Sequence, residues 1–583
     1  MICCMRNAYS LPVVRRFLAA MRACGWLLLL LAAPVVRAQA PAWQLAIGTT
    51  HAGGPNTSGV AAMTTDASGN VYLTGYFGGT VSFGDIVLSS VSLGPYDMFV
   101  AKWNTAAGRF AWVQQAGGAG YDIPAAIAVA GSSVYVGGIF SSGPVTFGSI
   151  TVTGGNAFVA KLTDAGATAS FTWVQQVGGV GTNGISALAA TTTSVYAAGY
   201  FSSATATFGS TVLTNADASG YTVDAFVTRL TDAGSTSSFA WAQRAGGTGI
   251  DSPNALALNG SNVYVAGTFA SPSISFGGTT LANAGAGSSA DIFVAKLTET
   301  GTSASFTWVQ RAGGLDSDGV NALVANGPSL YLAGAFAGTT AGFGSNTLTN
   351  SGTGAEVFVA KLTDAGNTSS FGWAQRAGGT GEDQALALAV NGPDVYVTGS
   401  YGSSAAGFGS TTLANSNPGR DDLFVAKLTD AGSTSSFAWA QRAGSARGRA
   451  LAISGTTVYV AGVATPTASF GSQTITNAGG GQTAFLAALP TIAVLATATP
   501  SPLAGVVVAP NPAHGLAVVQ LPVVAVPESA VLTLLDAVGR VVRVTAAAPA
   551  QQHSLDLQGL APGVYLLRVQ VGEDYAVRRL VVE

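Results

Sequence analysis

The chain has 583 residues, of which 48% are hydrophobic and only 9% charged, with a formal net charge of −3. Soluble domains usually carry about 25% charge, so a mean hydropathy of +0.40 first raises a membrane protein. Run length excludes a spanning helix, which needs about 20 consecutive apolar residues, because the one dense apolar run covers residues 25–36. A mildly acidic balance also argues against nucleic acid and anionic membranes as partners, since both call for basic patches.

At the N-terminus, Arg6, Arg15, Arg16 and Arg22 precede Trp26-Leu27-Leu28-Leu29-Leu30-Leu31, and the small residues Ala38 and Ala40 follow. This order of basic region, short apolar region and small-residue site predicts a secretory signal peptide over residues 1–38. Cleavage is expected after Ala38, because Pro41 hinders the cut after Ala40. Met1 and Met21 both fit as the start, since the segment from Met21 is itself a compact signal. All three cysteines (Cys3, Cys4 and Cys24) lie in this segment. The mature chain is therefore expected to hold no disulfide, thiolate nucleophile or cysteine metal site, although the compartment would permit disulfides. Cys24 stands before the apolar run, which argues against a lipoprotein anchor. Loss of the five arginines before Gln39 moves the formal charge from −3 to about −8.

Internal repeats follow. Variants of Phe-Val-Ala-Lys-Leu begin at Phe99, Phe158, Phe226, Phe293, Phe358, Phe424 and Phe485. Trp43, Trp112, Trp173, Trp241, Trp308, Trp373 and Trp439 form a second anchor about every 66 residues. Between the anchors lie an Ala-rich stretch such as 255–258 and a Tyr-centred one such as 263–267. Both are short, β-rich and bounded by turn residues, so both read as strands. Four main strands per repeat, with a small hairpin near 276–281, can bury two apolar faces only against neighbouring sheets. A radial stack satisfies that need. The Trp43 strand precedes the first Ala-rich strand, and the last repeat stops after its third strand near Leu489. Pairing surplus with deficit predicts an all-β, seven-bladed β-propeller over residues 39–490, closed by the N-terminal strand and free of exposed edges. Lys102, Lys161, Lys296, Lys361 and Lys427 share one repeat position, held by Arg229 in another repeat; such recurrence argues for a structural role. Thr-Asp-Ala-Gly stretches at Asp164, Asp232, Asp364 and Asp430 predict tight turns between third and fourth strands.

Gly246-Gly247-Thr248-Gly249-Ile250-Asp251, then Ala255-Leu256-Ala257-Leu258, then Asn262-Val263-Tyr264-Val265-Ala266-Gly267 resemble the SBBP family of seven-bladed β-propeller repeats. The likeness covers residues 43–489. It implies the fold and an extracellular setting, and no one activity.

Catalytic candidates are few. His51 is the one histidine of the repeats, and its neighbours offer no activated serine. Zinc would need three or four His, Cys or carboxylate ligands. The turn Asp232-Ala233-Gly234-Ser235-Thr236 resembles part of the Asp box of sialidase propellers, with Ser237 in place of the closing aromatic. Arg244, Arg311, Arg376 and Arg442 follow Gln on the expected outer strand, away from any central site. Asp122, Asp251, Asp316 and Asp383 share the position before the expected innermost strand, with Asp318 and Glu382 beside two of them. Ser58, Asn183 and Arg447 stand at or near it in other repeats. Gathered at one channel mouth, these carboxylates would make an acidic ring able to hold Ca²⁺ or sugar hydroxyls. The alternative is that each Asp caps a turn. Gly-Gly-x-Gly-x-Asp also matches a calcium-binding nonapeptide, which works by stacking every nine residues; here the string recurs about every 66.

Residues 491–505, rich in Ala, Thr and Pro, read as a linker. Residues 506–583 read as a small immunoglobulin-like β-sandwich, with strands near 530–535, 540–545, 554–557, 563–571 and 575–582. Its motifs are Pro510-Asn511-Pro512, Leu535-Asp536-Ala537-Val538-Gly539-Arg540-Val541-Val542, Gly563-Val564-Tyr565-Leu566-Leu567-Arg568 and the terminal Arg579-Leu580-Val581-Val582-Glu583. In order and position they resemble the type A C-terminal sorting domain of the type IX secretion system. The resemblance implies that Pro510, Asn511, Pro512, Asp536, Gly539, Arg540, Gly563, Tyr565, Arg568 and Leu580 carry a sorting motif. It also implies the type IX machinery as partner, passage across the outer membrane of a Gram-negative bacterium, removal of the domain near 491–505, and in many passengers attachment to a surface lipopolysaccharide.

The expected function is that of a secreted, surface-displayed protein that binds a glycan or protein, or serves the envelope structurally, without catalysis. The alternative is a polysaccharide-active enzyme with two carboxylates about 5–10 Å apart.

Overall fold

The computed structural model describes residues 40–51, 57–92, 96–141, 143–154, 157–179, 181–217, 219–285, 287, 289–477, 479–491, 505–521, 530–536, 539–547, 552–571 and 574–583. The expected signal segment, 1–38, and nearly all of the expected linker lie outside the described residues. Among the described residues the chain is all-β without helix. It divides into two units, Met1–Ile492 and Ala493–Glu583.

In the first unit, groups of four antiparallel strands succeed one another, seven among the described residues. The fourth group illustrates them all: Asp251–Asn259, Asn262–Phe269, Asp291–Glu299 and Ala304–Ala312 pair in chain order. Successive strand side chains point to opposite faces. Val263, Val265 and Phe269 accordingly enter a core shared with the third group. Tyr264 and Ala266 enter the core shared with the fifth. Sheets buried on both faces have nearly continuous apolar strands, which explains the high hydropathy without a membrane. Each group also carries a small hairpin between its second and third strands, as at Ser273–Phe276 and Thr279–Ala282.

First strands of successive groups pack side by side, and Thr57–Thr65 of the first group packs against Ser435–Ser454. That long strand serves as the fourth strand of the sixth group and the first of the seventh. Leu45–Gly48 pairs antiparallel with Thr483–Pro490, placing Leu45 opposite Ala488 and Gly48 opposite Phe485. The surplus N-terminal strand thus supplies the strand that the seventh group lacks. The Trp43 indole donates to the Arg442 carbonyl at 2.9 Å beside this seam.

The recurring lysines join one group to the next. Lys102, Tyr72 and Trp112 of the first group all donate to Asp164 of the second, at 2.6, 2.6 and 3.0 Å. Lys161, Tyr135 and Trp173 meet Asp232 in the same way. So do Lys296, Tyr264 and Trp308 with Asp364, and Lys361, Tyr331 and Trp373 with Asp430. Glu299 takes the role opposite Tyr196 and Trp241, with Arg229 at 3.7 Å. Each of these aspartates also accepts the amide of the turn glycine two residues on (Gly166, Gly234, Gly366 and Gly432). Those glycines have φ near +90°, which a side chain would strain. One carboxylate therefore closes its own turn and fastens the neighbouring group. The seventh group takes its fourth strand from the N-terminus and shows no such turn among the described residues. Tyr396 donates to the Thr491 carbonyl there instead, and Lys427 pairs with Asp394 inside its own group.

The second unit holds two antiparallel sheets. One comprises Val507–Ala509, Leu516–Gln520 and Gln552–Asp556, and the other Val541–Ala547, Ala530–Leu535, Gly563–Val571 and Asp574–Val582. They share a core that includes Val519, Leu555, Leu532, Leu534, Leu567 and Leu580.

Candidate functional site

The first strand of every group carries a β-bulge. One residue is skipped in its pairing with the second strand, as between Pro253 and Ala255 or between Gly448 and Ala450. A bulge bends its strand and re-aims the extra side chain. The skipped residues are Ala61, Ala125, Ser186, Asn254, Asn321, Leu386 and Arg449. All seven line one cavity of about 520 Å³, within the ~300–1,000 Å³ usual for small-ligand sites. The glycine that ends the Val-Tyr-Val-x-Gly motif follows from the same bulge. A Cβ on Gly267 would sit 2.2 Å from the Ser252 carbonyl oxygen, and one on Gly399 1.9 Å from that of Gln384.

The cavity wall is chemically uneven. Ile123, Ile139, Ile185 and Leu386 make it apolar in part, and Tyr200, Ser186, Gln384, Arg447 and Arg449 add polar groups. Asn254 and Asn321 each donate their side-chain amide to the next group, to the carbonyls of Val320 and Ala385, both at 2.8 Å. Their orientation is thereby set, with Oδ1 left as an acceptor. The Arg447 Nε lies 2.6 Å from Asp421. Among the described residues Arg449 has no carboxylate within ion-pairing distance. Burial pushes the Tyr76 phenol up, and the Arg449 charge acts the other way.

The expected acidic ring does not form. Asp122, Asp251 and Asp383 are at most 1% exposed, and their carboxylates accept the amides of Gly118, Gly247 and Gly379 at 2.8, 2.7 and 2.7 Å. Asp251 and Asp383 also accept the hydroxyls of Ser271 and Ser403. These aspartates cap the Gly-Gly-x-Gly loops, the alternative weighed above. In the fifth group the position belongs to Asp318, which accepts the Gly314 and Ala337 amides; Asp316 is exposed two residues earlier. Asn183 and Ser58 hold it in the third and first groups, and Ala446, not Arg447, in the seventh. With carboxylates turned into loops, the ring meant to hold Ca²⁺ is not assembled, and the described residues contain no cluster of three metal-ligating side chains. Arg244, Arg311, Arg376 and Arg442 reach along their own sheets to Asp224, Asp291, Glu356 and Asp422.

Sequence reading missed one pair. The His51 Nε2 lies 3.1 Å from the Ser58 Oγ. Ser58 is fully buried, and its hydroxyl also meets Thr49 and receives the Ala484 amide. Among the described residues the His51 Nδ1 has no hydrogen-bond partner, so none of their acids orients the ring as a triad would require. Burial holds this imidazole below its ordinary pKa. A larger cleft of about 720 Å³ lies between Leu45–Gly48 and the hairpin Thr80–Phe83 and Ile86–Ser89, and brings together none of the recurring site positions.

The loop-capping aspartates carry a pH signature. Burial raises Asp122 and Asp318 from 3.8 to about 7, and Asp251 to about 6. The folded chain therefore takes up protons at a higher pH than the unfolded chain does. This contribution to stability is complete below about pH 4 and is lost as pH rises through 6 to 7. Urea midpoints of the full chain are expected to fall between pH 5 and pH 8, and less steeply in Asp122→Asn or Asp318→Asn. An unchanged slope in both variants would refute the assignment.

In the C-terminal unit the motif residues are structural fixtures. The Ala509-Pro510 and Asn511-Pro512 peptides are cis. Asn511 donates to the Arg579 carbonyl at 2.7 Å and accepts the Val581 amide at 2.9 Å, pinning the last strand. Asp536 accepts both the Arg540 amide and its Nε at 2.9 Å across a turn in which Gly539 has φ +84°. Gly563 opens its strand, and the Tyr565 hydroxyl donates to the Ala561 carbonyl at 2.8 Å. The Arg568 guanidinium lies over the Tyr575 ring, 4.8 Å from its centre. Leu580 is fully buried.

Residues 507–583 match the family described as the secretion system C-terminal sorting domain. The second unit carries a sorting domain. That domain supports export by type IX secretion, implies interaction with its machinery, and indicates a secreted or cell-surface protein of Bacteroidetes. No curated protein matches the chain. Among solved structures, a putative 6-phosphogluconolactonase from Bacteroides uniformis ATCC 8492 aligns at 10% identity over 67% of this chain and 99% of its own, with a TM-score of 0.27. Dimeric latent PorU from Porphyromonas gingivalis aligns at 10% identity over 62% of this chain and 31% of its own, with a TM-score of 0.12. At these scores neither likeness bears on the fold or activity of the first unit.

Proposed function

We propose that this protein is a non-catalytic binding protein, delivered by a signal peptide and the sorting domain to the outside of the cell. Its first unit serves as a seven-bladed β-propeller with an axial binding cavity, and its sorting domain has the immunoglobulin-like form. The pairing of Leu45–Gly48 with Thr483–Pro490 supports the ring, as does the packing of Thr57–Thr65 on Ser435–Ser454. The observation that carries the binding reading is the cavity itself. Seven bulge residues converge on it, yet among the described residues no carboxylate, histidine or cysteine lines it. General acid–base and nucleophilic catalysis draw chiefly on such groups. The polysaccharide-active alternative loses its paired acids, because Asp122, Asp251 and Asp383 face their own loops.

A glycan array and a surface-extract pull-down with the full chain test this reading. Retention of a ligand that is recovered unchanged is the expected result. Release of new reducing ends would overturn the non-catalytic reading, and no ligand in either assay would overturn the binding one.

A further inference from the structure

We infer that the axial cavity selects a carboxylate-bearing sugar unit, with Arg449 as its anion contact. The inference rests on the binding reading above and names its ligand class.

The repeat pattern supplies the first argument. Six groups place Ala, Ala, Ser, Asn, Asn and Leu at the bulge, and the seventh places Arg449. The symmetry of the fold therefore explains the bulge and leaves the arginine unexplained. A residue that holds the fold together recurs here, as the lysines do; this one does not.

Charge supplies the second. Arg447 is matched by Asp421 at 2.6 Å, whereas Arg449 has no ion-pair partner among the described residues. With no acid among the described residues of the cavity wall, these residues leave one positive charge uncompensated. A planar guanidinium suits a carboxylate, which it can grip with two parallel hydrogen bonds. Among the described residues the wall has no lysine and no second free arginine, so it matches a single negative charge better than a phosphate dianion.

The remaining wall speaks for a sugar. Asn254 and Asn321 are each locked by a 2.8 Å bond from Nδ2 to the next group. Each can then offer Oδ1 to a hydroxyl donor at no further ordering cost, and Ser186 and Gln384 offer adaptable partners. Tyr200 sets an aromatic ring on the wall, made possible by Gly184, whose Cβ would lie 2.6 Å from the Tyr200 Cζ. A flat ring, several hydroxyl partners and one anion contact describe a uronic-acid-type unit.

The test is calorimetry on the full chain with galacturonate and glucuronate oligosaccharides against the matched neutral galactose and glucose oligosaccharides. Acidic ligands are expected to bind at least tenfold more tightly, with a preference that weakens as salt is raised. Arg449→Gln is expected to abolish the preference without shifting the melting temperature, because the side chain is exposed. Arg449→Lys is expected to keep part of it, holding the charge and losing the two-pronged geometry. Neutral and acidic ligands binding alike, or a preference that survives Arg449→Gln, would overturn this inference and leave the binding reading standing. If no oligosaccharide binds, this inference falls; the array and pull-down decide separately whether the binding reading falls with it.

Discussion

Deletion of residues 507–583 is expected to abolish appearance of the protein outside the outer membrane and to leave it in the periplasm. Cell fractionation with surface proteolysis reads the outcome, and unchanged export of the truncated chain would overturn the sorting assignment. A subtler variant separates recognition from folding. Leu580 is fully buried in the core between the two sheets. Leu580→Ala in such a setting costs about 2–5 kcal/mol, a large part of what a unit of under 100 residues has to lose. It is expected to cost export through unfolding of the unit. Arg540→Ala touches an exposed pair, with Arg540 79% exposed, and costs about 0–1 kcal/mol. Loss of export in that variant with the fold intact would make the Asp536–Arg540 turn a contact of the machinery.

Asp364→Ala is expected to destabilise the first unit by about 3–5 kcal/mol, the usual cost of breaking a buried pair from one side. Lys296 and Asp364 are only 5% and 7% exposed, and Asp364 also anchors Tyr264, Trp308 and the Gly366 amide. The variant leaves an ammonium buried between two groups with no counter-charge. Lys296→Met combined with Asp364→Asn removes that charge and keeps the amide oxygen for Trp308 and the Gly366 amide, while its NH2 faces the Tyr264 hydroxyl, which can accept. This pair is expected to recover most of the loss. Urea unfolding followed by tryptophan fluorescence reads the first unit alone, because the chain has no tryptophan after Trp439. A cost no greater than that of Arg540→Ala would show that these contacts do not hold the groups together. The clasp carboxylates Asp164, Asp232, Asp364 and Asp430 are opposed by burial, yet the donors around each hold its pKa below the ordinary 3.8. Their contribution is present above that value and is lost as pH falls further. Together with the opposite sign at Asp122 and Asp318, this places the stability maximum on the acid side of neutrality.

Much was legible because each repeat states it again. The Tyr-centred strand is mostly apolar on both faces, so it could be recognised at 263–267, although the strand runs on to Phe269. The surplus Trp43 strand and the missing last strand could be matched by counting alone. Asp316 was misread because two aspartates stand two residues apart, and the pairing register, which puts Asp318 opposite Phe336, is not written in composition. The seven skipped residues were missed for the same reason. A bulge depends on the fit of one strand to its neighbour, and Ala61 and Arg449 look unrelated until both are seen to be skipped.

The sequence by itself determined an all-β chain of repeats with a C-terminal address, and a scarcity of reactive side chains. Periodicity and spacing are local properties, and seven copies make them plain. Tertiary structure alone decided where the charges go. The lysine and aspartate that clasp neighbouring groups lie 62 to 71 residues apart in the first two joints, and such partners meet only when one repeat is laid on the next. The local register of each group turned Asp122, Asp251 and Asp383 into loop caps, and the packing of first strands side by side brought Arg449 to the cavity wall. The high hydropathy belongs to sheets covered on both faces, and the few groups left facing the cavity are the ones that set what it can hold.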